Sequence, residues 1–422
     1  MKLNRKKFTR ILFLLGISIV LTIFILGNIK KNKKINNKIT SIETLYYSIN
    51  LKRIILPAST YGGIDFVSNK IVYISNDLDF FTIDKTSYDI KNYTIKKFNN
   101  NKEFFLKKHR EELGDQANLF FGIKDIFIGN FSNSKKKQIL VSTLKYNIKD
   151  DCNTVAIFSS EIYNEEKMNL GPWNEIFSSK PCLKIDLTEP KFAAASAGGR
   201  IFKYDNENIL LTIGDFYSDD VHGPALSQNL KVDYGKILKI NLTNKNNEIF
   251  SSGHRNPQGL FISKDNNIFS SEHGPAGGDE VNLIYQNKNY GWPLNTFGVG
   301  YKSKKQYGEK KKKWTPDISN NQHDKFEKPI FSWGNTFAAS NLIYYENDYF
   351  NKWKDNLLVG SLATKQISRL VFNKKKKSII LKEDIKLDIR IRDIIQLKDG
   401  KIIILSDPQD GFRELIIISK KN

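Results

Sequence analysis

Between residues 253 and 293 the chain concentrates side chains that could hold an anion and a cation together: GHRNPQGL, then SEHGPAGGDEVNLI, then KNYGWP. Arg255 offers a planar, permanently charged fork that matches a carboxylate, and Asn256 beside it both donates and accepts hydrogen bonds. Gly274, Pro275, Gly277 and Gly278 allow close backbone approach to a ligand. Carbonyls exposed in such a turn suit a hard cation such as calcium, with Asp279 and Glu280 as further oxygen ligands. On residue types alone the same stretch would serve equally as a rigid turn between structural units.

Groups of this kind need a scaffold that brings distant loops to one place, and a period-2 reading of the chain supplies it. A polar turn followed by four or five apolar or β-branched residues and then Ser, Thr, Gly or an acid recurs six times. The copies are NKIVYIS (69–75), KQILVST (137–143), NILLTIG (208–214), NIFSSEH (267–273), NLLVGSL (356–362) and KIIILSD (401–407). Counted from Ile71, Ile139, Ile209, Ile268, Leu357 and Ile402, the steps are 68, 70, 59, 89 and 45, the longest holding a Lys-rich insertion at 302–313. Helical periodicity is confined to an N-terminal apolar run and to 101–113. The expected fold is all-β: one six-bladed β-propeller over residues 40–422 with one such strand per blade, the alternative being a jelly roll or paired sandwiches. In a propeller, strands near the axis converge on one mouth, which the small and polar residues ending each unit would line.

The 253–293 stretch resembles the signature of the soluble PQQ-dependent sugar dehydrogenases, the glucose/sorbosone dehydrogenase family that includes the aldose sugar dehydrogenases. The similarity extends through AGGRIFKYDNENILLTIGD (197–215), YGKILKINL (234–242), NLLVGSL (356–362) and IRIRDIIQLKDGKIIILSD (389–407), and is weak over 40–190. The resemblance implies a six-bladed propeller working outside the cytoplasm with PQQ and calcium. Carried over by residue, it implies that Arg255 and Asn256 contact PQQ and that Arg390 and Arg392 lie against its carboxylates and quinone. The backbone oxygens of Gly274 and Pro275 would hold a calcium bridging to PQQ, and Glu280 and Tyr290 match a second, structural calcium site. An anionic tricarboxylate quinone does need fixed guanidinium groups and a dication.

Where the family carries its general-base histidine, four residues before the arginine of GGR, this chain has Ser196, preceded by Ala195. A serine hydroxyl is no base near neutral pH, and losing a general base removes roughly 10²- to 10⁴-fold in rate. The family's blade-five lysine is also absent, Ala363 following Leu362 with Lys365 nearby, and Gln116 is the candidate for its substrate-contacting glutamine. His273 and His222 are candidate substitutes for the base. Two functions follow: a dehydrogenase passing electrons from a sugar to a quinone or cytochrome acceptor, or a non-catalytic propeller that binds a sugar, PQQ or another ligand.

With 66 Lys+Arg against 45 Asp+Glu the formal charge is +21, but the excess is lysine spread through Lys/Asn-rich runs, without zinc-finger spacing or a basic helix with interleaved aromatics. Nucleic-acid binding is therefore not expected. Residues 1–10 are basic (Lys2, Arg5, Lys6, Lys7, Arg10), 11–29 are apolar, and 30–39 form a Lys/Asn-rich linker. This pattern fits a signal peptide or signal anchor; without an A-x-A site we read an uncleaved transmembrane anchor with the body on the extracytoplasmic, periplasmic side. Cys152 and Cys182 are the only cysteines, and in an oxidising compartment they are expected to pair, the alternative being two separate buried thiols.

Overall fold

The computed structural model describes residues 39–57, 61–114, 121–184, 196–218, 225–298, 323–373, 378–408 and 412–421. The expected anchor at 11–29, the linker up to residue 38, His222, Gln116 and the insertion at 302–313 lie outside the described residues. Among those described, no helix is long and apolar enough to cross a membrane.

The described strands form six sheets that make six blades. Blade 1 runs outward from Gly62–Val67, blade 2 from Ile123–Gly129, blade 3 from Gly198–Lys203, blade 4 from Pro257–Ile262, blade 5 from Ala339–Tyr344 and blade 6 from Ile391–Gln396. These six inner strands neighbour one another around the axis, blade 6 packing back on blade 1. Blade 6 takes its outer strands from the other end of the chain: Ser48–Leu56 pairs antiparallel with Arg413–Lys420, and Ile39–Glu43 pairs with Ser48–Leu56. The ring is thus closed by hydrogen bonds between the two ends of the described chain. The helix Lys102–Leu113 follows blade 1, where helical periodicity was expected, and packs Phe105 on Phe121.

The six repeated units are each the second strand of a blade, one step out from the axis. Their position explains their composition. Ile402 and Ile404 pack against blade 5, while Ile403 and Leu405 pack against blade 1, so both faces are apolar. The same holds around the ring: six apolar clusters each join one blade to the next. A strand buried on both faces reads as a continuous apolar run.

The inner strands differ. In blades 2 to 6 the register with the second strand shifts near the start of the inner strand, at Ile123/Asp125, Gly198/Ile201, Pro257/Gly259, Ala339/Leu342 and Ile391/Asp393. A bulge re-aims side chains and tightens the twist. Here it brings polar groups to the axis, where Arg200 of blade 3 is the hub. Its Nη1 donates to Asp125 Oδ1 of blade 2 at 2.9 Å and Asp393 Oδ2 of blade 6 at 2.8 Å. Its Nε donates to the Gln258 carbonyl of blade 4 at 2.7 Å and its Nη2 to the Arg392 carbonyl at 3.1 Å. Asn341 of blade 5 completes the layer by donating to Asp393 Oδ1 at 2.7 Å. Beyond this layer, on the side away from the strand starts, lies a cavity of about 580 Å³ walled by Phe66, Phe127, Phe202 and Phe261.

Cys152 and Cys182 form a disulfide, with Cα atoms 5.6 Å apart, that ties the short strand Leu183–Lys184 to the third strand of blade 2. Replacing both cysteines with serine should lower unfolding free energy by about 3 to 5 kcal/mol, read from denaturant titrations of the oxidised protein and the double variant. Arg200→Met would leave Asp125 and Asp393 buried without their cation, and should cost about 3 to 5 kcal/mol in the same assay. An unchanged midpoint would show that the axial layer does not hold the blades.

Candidate active site

One end of the ring gathers the starts of the inner strands and the ends of the repeated units, so the unit ends reach the mouth although their strands do not line the axis. Arg255 and Asn256 immediately precede the inner strand of blade 4. Arg390 precedes that of blade 6, and Arg392 occupies its bulge. Ser196 stands just before the inner strand of blade 3.

Arg255 is buried and fixed from several directions. Its N–H donates to Glu272 Oε2 at 3.1 Å, its carbonyl accepts from Asp215 N–H at 2.8 Å, and its Nη1 donates to the His273 carbonyl at 3.2 Å. The guanidinium carbon lies 5.4 Å from the Tyr217 ring centre and 5.3 Å from that of Trp292, so two aromatic faces set its plane. Trp292 is itself held by a 2.7 Å bond from its indole N–H to Asp215 Oδ2. Asn256 Oδ1 accepts from Gln258 Nε2 at 2.7 Å and from the Gly198 N–H at 3.3 Å, joining blade 4 to the GGR segment of blade 3.

On the blade 6 side, Asp407 orders both arginines. Its Oδ1 accepts from Arg392 Nε at 2.6 Å, and its Oδ2 accepts from Arg392 Nη2 at 3.0 Å and Arg390 Nε at 3.1 Å. Arg390 also reaches the Leu362 carbonyl at the end of the blade 5 unit. Burial pushes the Asp407 carboxyl up, but Arg392, Arg413 and Arg390 more than reverse this and hold it below its ordinary value. The two halves of the mouth meet at His273, which feels both Arg255 and Arg392. Its imidazole is pushed down to about 4, first by burial and then by those cations, with Asp279 opposing.

Ser196 has a positive φ of 55°, and its Oγ has no hydrogen-bond partner among the described residues. Its carbonyl accepts from Phe216 N–H, and a Cβ on Gly214 would come within 1.9 Å of that oxygen, so this corner tolerates only glycine at position 214. Ala363 and Lys365 are exposed in the turn beyond the blade 5 unit.

Gly274 and Pro275 open the turn that follows His273. Asp279 pins it: Oδ1 accepts from Gly274 N–H at 3.0 Å, and Oδ2 from Phe337 and Ala338 N–H at 2.6 and 2.8 Å. This carboxylate is therefore occupied with backbone rather than offered to a cation. Glu280 is different. It faces Glu272 across Asn282, which donates to Glu272 Oε1 at 2.6 Å and Glu280 Oε2 at 3.3 Å. Burial, and next the Glu272 charge, push the Glu280 carboxyl well up. The two acids border a partly open space of about 20 Å³ together with Tyr290, Asn295, Arg255 and His273. Asn295 Oδ1 is buried there without a hydrogen-bond partner among the described residues. Room for about one water-sized particle, two carboxylates and an unused amide oxygen suit a hard cation. The Tyr290 hydroxyl is already engaged, donating to the Leu283 carbonyl at 2.7 Å and accepting from Tyr285 N–H at 2.9 Å, so it is not offered to a cation. Among the described residues no group of three or more His, Cys, Asp or Glu side chains is arranged to hold a metal ion.

Several supporting residues were not singled out from the sequence. His254 is fully buried, bonded to Ser251 at 2.8 Å and near Glu272 at 3.2 Å, and stacked on Tyr290. Asp215, Tyr217, Glu272 and Trp292 likewise sit within or beside the quoted motifs, but only the three-dimensional contacts assign them to Arg255.

The sequence pattern of the family described as Glucose / Sorbosone dehydrogenase matches residues 122–417. Aldose sugar dehydrogenase YliI of Escherichia coli (strain K12) is 34% identical over 180 residues, which is 42% of this chain and 44% of that protein. The chain thus aligns with under half the length of this relative. In architecture it is similar to the soluble aldose sugar dehydrogenase from Escherichia coli in the apo-form, with a TM-score of 0.67 at 20% identity over 88% of this chain and all of that one. It is also similar to the PQQ-bound aldose sugar dehydrogenase from Streptomyces coelicolor, with a TM-score of 0.59 at 16% identity over 91% and 98%.

Asp407→Asn tests the electrostatics of the mouth. A carboxyl held below its unfolded value stabilises the fold above about pH 4 and stops doing so as pH falls through its lower folded value. The variant should therefore be less stable than the parent at neutral pH by about 1 to 3 kcal/mol, part of the ion pairing being solvent-screened. The gap should narrow as pH falls below about 4 and through the lower folded value. Urea titrations at neutral and acid pH would read it, and a gap independent of pH would assign the loss to packing.

Proposed function

The chain belongs to the Glucose / Sorbosone dehydrogenase family, and we propose that it binds PQQ in the mouth of the propeller and oxidises a hydroxyl of a sugar. The observation that carries this reading is the arrangement of Arg255, Arg390 and Arg392 about one opening beside the Gly274–Pro275 turn, each arginine already oriented by carboxylate, carbonyl or aromatic partners. Fixed forks of this kind match carboxylates and carbonyl oxygens of a planar polyanion, which they would bind without reorganising.

In this reading Arg255 and Asn256 hold PQQ from the blade 4 side, while Arg390 and Arg392 hold it from blade 6. A calcium at the Gly274 and Pro275 carbonyls would balance its charge, and a second at Glu280 and Glu272, beside Tyr290, would brace the turn. Bound PQQ supplies a two-electron acceptor for hydride. The chain's residues would orient the sugar above it and exclude water. A quinone or cytochrome would take the electrons onward. We also propose that residues 11–29 anchor the protein in a membrane with the propeller on the extracytoplasmic side, a reading that a disulfide supports, since such bonds persist in oxidising compartments.

One observation favours a second reading, a propeller that binds PQQ or a sugar without turning it over: Ser196 stands where the family's base histidine would be, with no titratable group of its own. Purified full-length protein supplied with PQQ and calcium separates the readings by absorbance of bound cofactor and dye reduction with a panel of aldoses. Calcium-dependent binding with dye reduction is expected. Binding without reduction would establish the second reading, and absence of binding would remove PQQ from both. Arg392→Ala should weaken PQQ binding at least tenfold, about 1.4 kcal/mol.

A further inference from the structure

The bulge that places Arg392 at the floor of the mouth has a counterpart in blade 2, and the residue in it is Lys124. Its stem lies across the backbone of Gly199, three residues beyond Ser196. A Cβ added to Gly199 would come within 2.3 Å of Lys124 Cβ and 2.8 Å of its Cγ. Lys124 therefore lies along the GGR segment, where glycine at 199 leaves its stem room, and its amine is near enough to Arg392 to feel that charge. The charged layer of Asp125, Arg200 and Asp393 closes the channel beneath it. Ser142 of its own blade flanks Gly199 and donates to the Gly199 carbonyl. From blade 6 comes Arg392, whose guanidinium carbon lies 5.2 Å from the ring centre of Tyr61, the residue preceding the inner strand of blade 1.

We propose that the Lys124 amine is the proton acceptor for the sugar hydroxyl, doing in this chain what a histidine at the position of Ser196 would do; the assignment rests on the quinone-dependent reading above. The hydroxyl O–H bond breaks and an N–H bond forms on the amine. The hydride on the same carbon leaves with its electron pair for the quinone cofactor, which is reduced as that carbon is oxidised to a carbonyl. The ammonium then returns its proton to water.

Burial, and next the Arg392 charge, push the Lys124 ammonium down to about 7, which makes the neutral amine available at ordinary pH. A base works best when its pKa lies near the working pH. His273, pushed down to about 4, is by comparison a weak acceptor.

The test uses the full-length protein with PQQ and calcium. Lys124→Met and Lys124→Arg should both keep PQQ binding, followed by absorbance, and both should lose roughly 10²- to 10⁴-fold in dye reduction. The arginine variant separates a proton acceptor from a mere positive charge, since it keeps the charge and cannot deprotonate. On the cofactor-free parent, the rate of Lys124 acylation against pH, followed by mass spectrometry of digests, should give an apparent pKa near neutrality, and PQQ should protect the amine. The assignment falls if either variant turns over within tenfold of the parent, or if Lys124 acylates like an ordinary surface lysine. If the parent binds no PQQ, the cofactor reading falls and the lysine's role falls with it. If parent and Lys124→Met turn over alike, only the lysine's role falls.

Discussion

A single guanidinium at the axis holds five of the six blades in one relation. Arg200 satisfies carboxylates from blades 2 and 6 and carbonyls from blades 4 and 6, and through Asp393 it reaches the Asn341 amide of blade 5. Two of its acceptors are backbone atoms of the residues on which the mouth depends: the carbonyl of Arg392 itself, and that of Gln258, whose side chain holds Asn256. A displacement of this hub would therefore move groups on opposite sides of the site at once. Buried ion pairs are weak sources of net stability, but they are demanding about geometry. Here that demand fixes the floor on which the mouth is built.

Above the floor, positive charge accumulates: Asp407 orders Arg390 and Arg392, Arg255 stands across from them at His273, and Lys124 lies near enough to Arg392 to feel its charge. Such a concentration is tolerable in the free protein because each cation has been given a rigid environment. Arg255 lies between two aromatic faces, Arg392 lies against a carboxylate and Tyr61, and Lys124 is eased toward neutrality. The lysines that dominate the net charge include surface pairs such as Lys137 with Glu165 and Lys136 over the Tyr163 ring, which solvent and salt screen, so overall basicity and the local basicity of the mouth carry different meanings.

The sequence made the second strand of each blade visible and hid the first. KIIILSD stands out because Ile402, Ile403, Ile404 and Leu405 are all buried between blades. IRIRDIIQ does not, because a bulge breaks its alternation and its polar residues face the axis instead of solvent. The same bulges concealed Lys124, which reads as an ordinary lysine in IKDIFIG until Gly199 and Arg392 are found beside it. Arg255, Asn256, Arg390 and Arg392 were legible because contiguous motifs carry them. The residues that orient them were not: Asp215 comes to Arg255 from blade 3, while Trp292 and Asp407 lie in the same motifs as their arginines but many residues away, so that only the strand pairing brings them together. Closure of blade 6 by Ser48–Leu56 was equally invisible, for strand pairing between chain ends leaves no local pattern.

That closure has a consequence for how the protein is made. Ser48–Leu56 is synthesised well before its partner Arg413–Lys420, with the other five blades in between. Until then the early strand presents unpaired backbone, a template for wrong partners, and blade 1 lacks the neighbour against which Ile64, Ile71 and Tyr73 are buried. Blades 1 to 5 each take their antiparallel strands from one stretch of chain, whereas the sixth must wait for Arg413–Lys420. A chain stopped before the inner strand of the last blade would be an open arc whose mouth lacks Arg390, Arg392 and Asp407, so that the mouth is completed only by the blade that closes the ring.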